Sequence, residues 1–170
     1  RAYGLEMQFK KKVGKWTGWV SYTLSKTERK IDGISNNEWY NARQDRTHDI
    51  SVVSTYQLNK KWTLSGNWVY YTGNAITFPA GKYTVNNQVV FYYTERNGYR
   101  MPAYHRLDLS ATYTLSPAKT KKGPDGEVIS VNRKIKSNWV FSLYNVYNRM
   151  NPFFMYVDSD GNFNSGDFKL

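Results

Sequence analysis

Two histidines, His48 and His105, are the only imidazoles in 170 residues, and there is no cysteine. Thiolate nucleophiles, thiolate metal sites and disulfide scaffolds are therefore excluded. A histidine-activated serine needs the two side chains on one face. Here no His-x-Ser spacing occurs, and the nearest serines, Ser51 and Ser110, fall on the opposite strand parity. Asp45 and Asp49 are a carboxylate pair of the kind that cleaves glycosides, but Arg43 and Arg46 flank Asp45, which reads as salt bridging. Asp158, Asp160, Asn162 and Asn164 alternate at nearly the spacing of a calcium loop. Their glycine comes two positions early and no Glu follows at the twelfth position, so the stretch reads as an Asp-Gly turn. The expectation is a protein without catalytic residues, cofactor or metal.

The elements that carry these residues are strands. From residue 15 to 25, Trp16, Gly18, Val20, Tyr22 and Leu24 share one parity and Thr17, Trp19, Ser21 and Thr23 the other. That period of two is the mark of a strand. Residues 3–10, 48–58, 61–72, 105–115 and 137–148 alternate likewise, which predicts six strands and no helix. Short turns near Val13-Gly14 and Asn59-Lys60 alternate with long loops at 27–46 and 74–103. The 116–136 link reads as an extended hairpin around Pro124-Asp125-Gly126. Residues 48–58 and 105–115 also match each other, with His, Thr, Tyr and Leu coinciding at a spacing of 57, as in a repeating meander. No apolar run approaches the roughly 18–20 residues of a membrane helix. Residues 1–30 hold no signal-peptide core, so the chain reads as a single partial domain, 1–170, cut from a longer precursor.

Aromatic side chains on the apolar parity fall in rows. Phe9, Trp16, Tyr56, Trp62, Tyr113 and Trp139 lie toward the short turns. Eight residues further on come Leu24, His48, Tyr70, His105 and Tyr147. Eight residues in a tilted strand span roughly 20 Å, close to the band of about 25 Å between the aromatic girdles of outer-membrane barrels. The opposite parity is polar, as a lumen wall would be. The net charge of +11 sorts the same way. Lys10, Lys11, Lys12, Lys15, Lys60, Lys61, Lys119, Lys121, Lys122, Arg133, Lys134 and Lys136 all sit at the turn side, where ammonium groups stay hydrated beside a membrane. Basic residues separated in this way do not form a nucleic-acid groove.

Three phrases, Tyr40-Asn41-Ala42-Arg43-Gln44-Asp45-Arg46-Thr47-His48-Asp49, Arg100-Met101-Pro102-Ala103-Tyr104-His105-Arg106-Leu107-Asp108-Leu109-Ser110 and Tyr144-Asn145-Val146-Tyr147-Asn148-Arg149-Met150-Asn151-Pro152, resemble the C-terminal barrel segment of TonB-dependent outer-membrane receptors. The likeness is to the type with a carboxypeptidase-regulatory-like N-terminal extension, and it covers nearly the whole chain. It implies an antiparallel up-and-down transmembrane β-barrel of about 22 strands, of which about six are here, with long extracellular loops and mostly short periplasmic turns. It also implies an N-terminal plug and a closing strand outside these residues, and import driven by the TonB energy-coupling complex across the outer membrane. A surface lipoprotein lid is a further possible partner. The nutrient, a metal chelate, glycan or peptide, would meet loop aromatics, with Trp39, Tyr40, Tyr92, Tyr93, Tyr99, Phe153 and Phe154 as candidates. Asp49, Arg106 and Asp108, at the outer ends of two polar strand faces, are expected to contact lumen or plug, with Arg106 reaching toward Asp49. The alternatives are a non-transporting barrel acting as adhesin or assembly component, and a soluble ligand-binding barrel, which would require polar residues on the outward parity.

An apolar face with nothing to cover it predicts that the 170-residue chain expressed alone does not form a soluble monomer. Analytical ultracentrifugation without detergent checks this, and a monodisperse, cooperatively unfolding monomer would contradict it.

Overall fold

The structure is a computed structural model and describes residues 1–115, 119–122, 128–131, 137–158 and 163–167. It is all-β and antiparallel. In chain order the strands are β1 Ala2–Lys11, β2 Trp16–Arg29, β3 Tyr40–Asn41, β4 His48–Gln57, β5 Trp62–Tyr71, β6 Ala75–Ile76, β7 Gly81–Val85, β8 Gln88–Tyr92, β9 Tyr99–Arg100, β10 Tyr104–Thr114, β11 Lys119–Lys122, β12 Val128–Val131, β13 Asn138–Leu143, β14 Pro152–Val157 and β15 Phe163–Asp167. One sheet runs β1-β2-β4-β5-β10-β13, each long strand beside its successor in the meander. These six lie where the alternation predicts them. The last is shorter than expected, because Asn145 and Asn148 turn the chain with positive φ angles of 51° and 50°, and Tyr147 lies in that turn.

The loops hold more structure than their sequences advertise. Within 74–103, β7 and β8 form a hairpin through Asn86 and Asn87, both at positive φ, as a two-residue primed turn requires. β6 pairs with β9 at the hairpin's base, and β3 extends the loop end of β2. The 116–136 link contains the antiparallel pair β11–β12; its turn around 124–126 lies outside the described residues, as do Asp160 and Asn162 of the calcium-like stretch. β14 and β15 form a further hairpin where only loop was expected.

Register assigns every side chain of the main sheet to a face, because residues directly opposite each other point the same way. Trp16 is opposite Tyr56, which is opposite Leu64, then Ala111, then Phe141. Trp62, Tyr113 and Trp139 form the neighbouring row on this face. The reverse face holds Ser21, Ser51, Val69 and Arg106 in one row and Asp49, Tyr71 and Tyr104 in another. Two expectations change. Phe9 is opposite Val20, four residues along from Trp16, so it does not share a register row with Trp16. His105 is level, through Tyr70, with Ile50 and not with His48, so the 57-residue repeat is offset by two residues across two strands.

Among the described residues, no layer lies against the apolar face. Phe9 is 71% exposed, Trp139 60% and Leu143 65%, and the buried hydrophobic residues among those described are Tyr40, Ala42 and Ala75, all at the loop end. A domain of this length ordinarily buries a continuous core. Here the ladder of backbone hydrogen bonds and the rows of cross-strand side-chain pairs supply the cohesion.

Gly18 has no room for a side chain: its φ is +154°, and a Cβ there would sit 2.1 Å from the Val53 carbonyl oxygen. Gly18→Val should cost about 1–3 kcal/mol and open the β2–β4 ladder locally. Hydrogen exchange measures it, and unchanged protection at residues 52–55 would contradict the steric account.

Candidate functional site

At the loop end of the polar face, β4, β5 and β10 bring charged and aromatic groups together. Tyr71 and Tyr104 are cross-strand partners whose rings stack at 4.6 Å and 3°. The Arg46 guanidinium lies 4.0 Å over the Tyr71 ring, and Arg106 lies 4.1 Å over Tyr144. Such contacts stabilise by roughly 0.5–2 kcal/mol each, more as water is excluded. Arg106 donates from Nε to Asp108 Oδ2 at 3.0 Å and from Nη1 to the Tyr104 hydroxyl at 2.9 Å, and it also reaches the Tyr144 hydroxyl. Asp108 uses its other oxygen to accept the Asn145 backbone N–H at 3.0 Å, which fixes the start of the 145–148 turn. Asn151 clips the His105 backbone from both sides, accepting its N–H at 3.1 Å and donating to its carbonyl at 3.0 Å. Arg149 is held by the Ala103 carbonyl and by Asn151.

These groups surround a cavity of about 380 Å³ lined by Arg46, Arg106 and Arg149, by Tyr71, Tyr104 and Tyr144, and by Met101, Pro102, Phe153 and neighbouring asparagines. No carboxylate is part of the lining. Asp108 stands behind Arg106 and Asp49 beside Arg46, at 4.0 Å. The expected Arg106–Asp49 contact does not form: each side chain finds a partner on its own segment, Arg106 with Asp108 and Asp49 with Arg46.

A second network fastens the loops that form the rim. Asp45 is fully buried. It accepts the Thr27 N–H and the Arg100 guanidinium, while Arg100 Nη1 donates to the Asp45 and Gly73 carbonyls at 3.0 and 3.3 Å. The partner of Asp45 is therefore Arg100, 55 residues away, and not Arg43 or Arg46 as local spacing suggested. Gly73 permits the crossing, since a Cβ there would come within 1.9 Å of the Met101 carbonyl oxygen. Asn41 and Asn97 exchange side-chain-to-backbone hydrogen bonds, tying β3 to the base of the β7–β8 hairpin. At the end of β2, Glu28 is gripped by Lys26 and Arg1 at 2.9 and 2.8 Å. Their donated hydrogen bonds hold its carboxyl below the ordinary carboxylate range.

The aromatic residues expected to capture ligand do not converge. Phe153 lines the cavity and meets Phe154 edge-on at 6.2 Å. Trp39 lies under Arg1 at 4.1 Å, and Tyr40 is buried with Arg96 on its ring at 5.5 Å. Tyr99 stacks on Phe78 at 5.3 Å, and Tyr92 and Tyr93 are exposed at the β7–β8 hairpin. On the apolar face each histidine bonds a tyrosine: His48 with Tyr22 at 2.9 Å and His105 with Tyr147 at 2.8 Å. Neither ring faces a nucleophile, and among the described residues no group of acidic, histidine or cysteine side chains is placed to hold a metal. The sequence did carry a sign of the cavity. Tyr71 and Tyr104 are large rings on a mostly polar parity, which also holds Trp19, Val53, Val69 and Arg106. Compared with family models, curated proteins and solved structures, the chain matches none.

Two measurements test the network. Breaking the buried pair with Asp45→Ala or Arg100→Ala should cost about 3 kcal/mol each, and the double variant should cost clearly less than the two together, as read by unfolding in denaturant. The Glu28 clamp, whose folded pKa is depressed, contributes stability that is full above the ordinary carboxylate range. That contribution is lost as pH falls through the lowered value. Protection factors of amides around residue 28, corrected for intrinsic exchange, should therefore fall in acid, and Glu28→Gln should remove that fall.

Proposed function

We propose that this chain is part of the wall of an outer-membrane β-barrel, of the TonB-dependent import type its sequence resembles, with the cavity on the lumen side near the outer mouth. The observation that carries this reading is the drift of the aromatic rows against the hydrogen-bond register. Following the turn-side row across the sheet, Phe9 is opposite Val20, four residues from Trp16. Trp16 is opposite Tyr56, which is opposite Leu64, two residues from Trp62. Trp62, Tyr113 and Trp139 are then level. The row has slipped six residues in five strand steps, roughly 20 Å along the strands for roughly 24 Å across them.

If those rings all lie in one plane, the strands cross that plane's normal at about 40°, within the 35–45° of membrane-spanning barrels. The far row slips in the same sense. Leu24 is level with His48, but Tyr70 and His105 are level with Ile50, two residues along. Over the strands they share, β2 to β10, both rows slip by the same two residues, and parallel rows of interfacial side chains on an apolar face are what a bilayer with two interfaces demands. A second protein layer would impose no such rule. In this setting Lys11, 5.6 Å over the Trp16 ring, stands at the inner interface. The polar face with its arginines and tyrosines faces the lumen, where a nutrient captured at the loops would pass once the plug moves. Coupling to the TonB complex belongs to the family likeness.

Depth provides the test. Leu109 lies midway between Tyr113 and His105 in its strand, and Ser110 is its neighbour on the polar face. In the intact protein refolded into lipid vesicles, Leu109→Arg should cost about 2–4 kcal/mol and Ser110→Arg much less. Equal penalties would overturn the membrane reading.

A further inference from the structure

The charge balance of the cavity points to what it holds. Three guanidiniums, of Arg46, Arg106 and Arg149, line it. Two carboxylates stand near them, Asp108 tightly on Arg106 and Asp49 at 4.0 Å from Arg46. Arg149 has only neutral partners among the described residues, the Ala103 carbonyl and the Asn151 side chain. One positive charge is left over, on a residue half-buried against the cavity wall. A cation in partial burial is costly unless it is paired, and Arg149 is already oriented by those two neutral acceptors, so a pairing group would meet a prearranged guanidinium. The rest of the lining mixes apolar and aromatic groups, Met101, Pro102, Pro152, Phe153 and the three tyrosines, with the neutral amides of Asn74, Asn145 and Asn151.

We propose that this cavity binds a carboxylate-bearing small ligand, its single negative charge taken by Arg149 with help from Arg46, and its adjoining apolar or aromatic body laid against Phe153 and Met101. A monoanion matches the one unanswered charge, whereas a phosphate dianion overshoots it. A volume of about 380 Å³ falls in the range of small-molecule sites. The chemistry is shared by the C-terminus of a short peptide and by a carboxylate chelate. The inference rests on the import reading for its biological direction, but the binding itself depends only on the cavity.

The test is calorimetry on the intact protein in detergent micelles, with N-acetylphenylalanine as probe. Its neutral amide, citrate, inorganic phosphate and maltose serve as comparisons. The acid should bind, with the amide at least tenfold weaker. Arg149→Gln should weaken the acid by about tenfold or more, Arg149→Lys should restore part of it, and Lys61→Gln at the far end of the sheet should leave it unchanged. The aromatic acid binding more tightly than citrate, a trianion, with dependence on Arg149, would identify a peptide-terminus-like monocarboxylate; citrate binding more tightly would overturn the single-charge match. The proposal is overturned if acid and amide bind alike, if phosphate binds best, or if Arg149→Gln has no effect. It is also overturned if the wild type binds no probe while Arg149→Gln lowers its stability, since a carboxylate of the protein itself then fills the cavity. Carboxylate binding that persists when Leu109→Arg and Ser110→Arg carry equal penalties would leave this site standing and remove the import reading alone.

Discussion

Alternation in a single-layer sheet is the constraint on which everything else in this molecule depends. Each strand sends successive side chains to opposite faces, and register couples all six strands, so one face collects Trp, Tyr, Leu, Val and Phe while the other collects Ser, Thr, Asn and charge. A one-residue slip anywhere would exchange the two sets. Because no second layer covers the apolar side, the hydrophobic effect cannot stabilise the sheet in water as it does a sandwich. The free energy of burying Phe9, Trp139 or Leu143 has to come from whatever surrounds that face.

The loop end obeys a different physics. There, cohesion comes from a few buried polar groups instead of apolar area: Asp45 with no exposed surface, Arg100 reaching it from another loop, Gly73 thin enough to let the chains cross, and Asn41 and Asn97 bonding reciprocally. Fully satisfied networks of this kind select one arrangement of loops, because any alternative leaves a charge unpaired. This rigid collar is what allows a cavity to persist between the 71–74, 101–106 and 144–153 segments. The residues lining it are held from behind: Asp108 orients Arg106, and Asn151 anchors both His105 and Arg149.

The inclination of the aromatic rows links the two ends. The rows run oblique to the hydrogen-bond ladder, so the rings of one row are not all residues directly opposite each other. The same shear accounts for the repeat at 57 residues, whose two copies coincide only after a two-residue shift. It also brings loops from strands three apart over a common opening, as Arg46 before β4 and Arg149 after β13 illustrate.

The sequence by itself determined the strands, their parity and the two rows of rings, because a period of two and the types Trp, Tyr and His are local properties readable along the chain. Tyr71 and Tyr104 were legible as rings on the wrong parity, though not as partners. The small strands within the loops stayed hidden, since two-residue pairings such as β6–β9 leave no periodic trace. Local spacing also misassigned the charges. Arg43 and Arg46 flank Asp45 and Asp49 lies within reach of Arg106 in principle, yet Arg100 takes Asp45, Arg46 lies by Asp49 and Asp108 takes Arg106. Ion pairs and cavities depend on distances between segments tens of residues apart, and those distances are set by register, shear and the crossing of loops. Only the tertiary structure decided them, because electrostatic partners are chosen by proximity in space, to which neighbours along the chain are a poor guide once the backbone runs extended at 3.3 Å per residue.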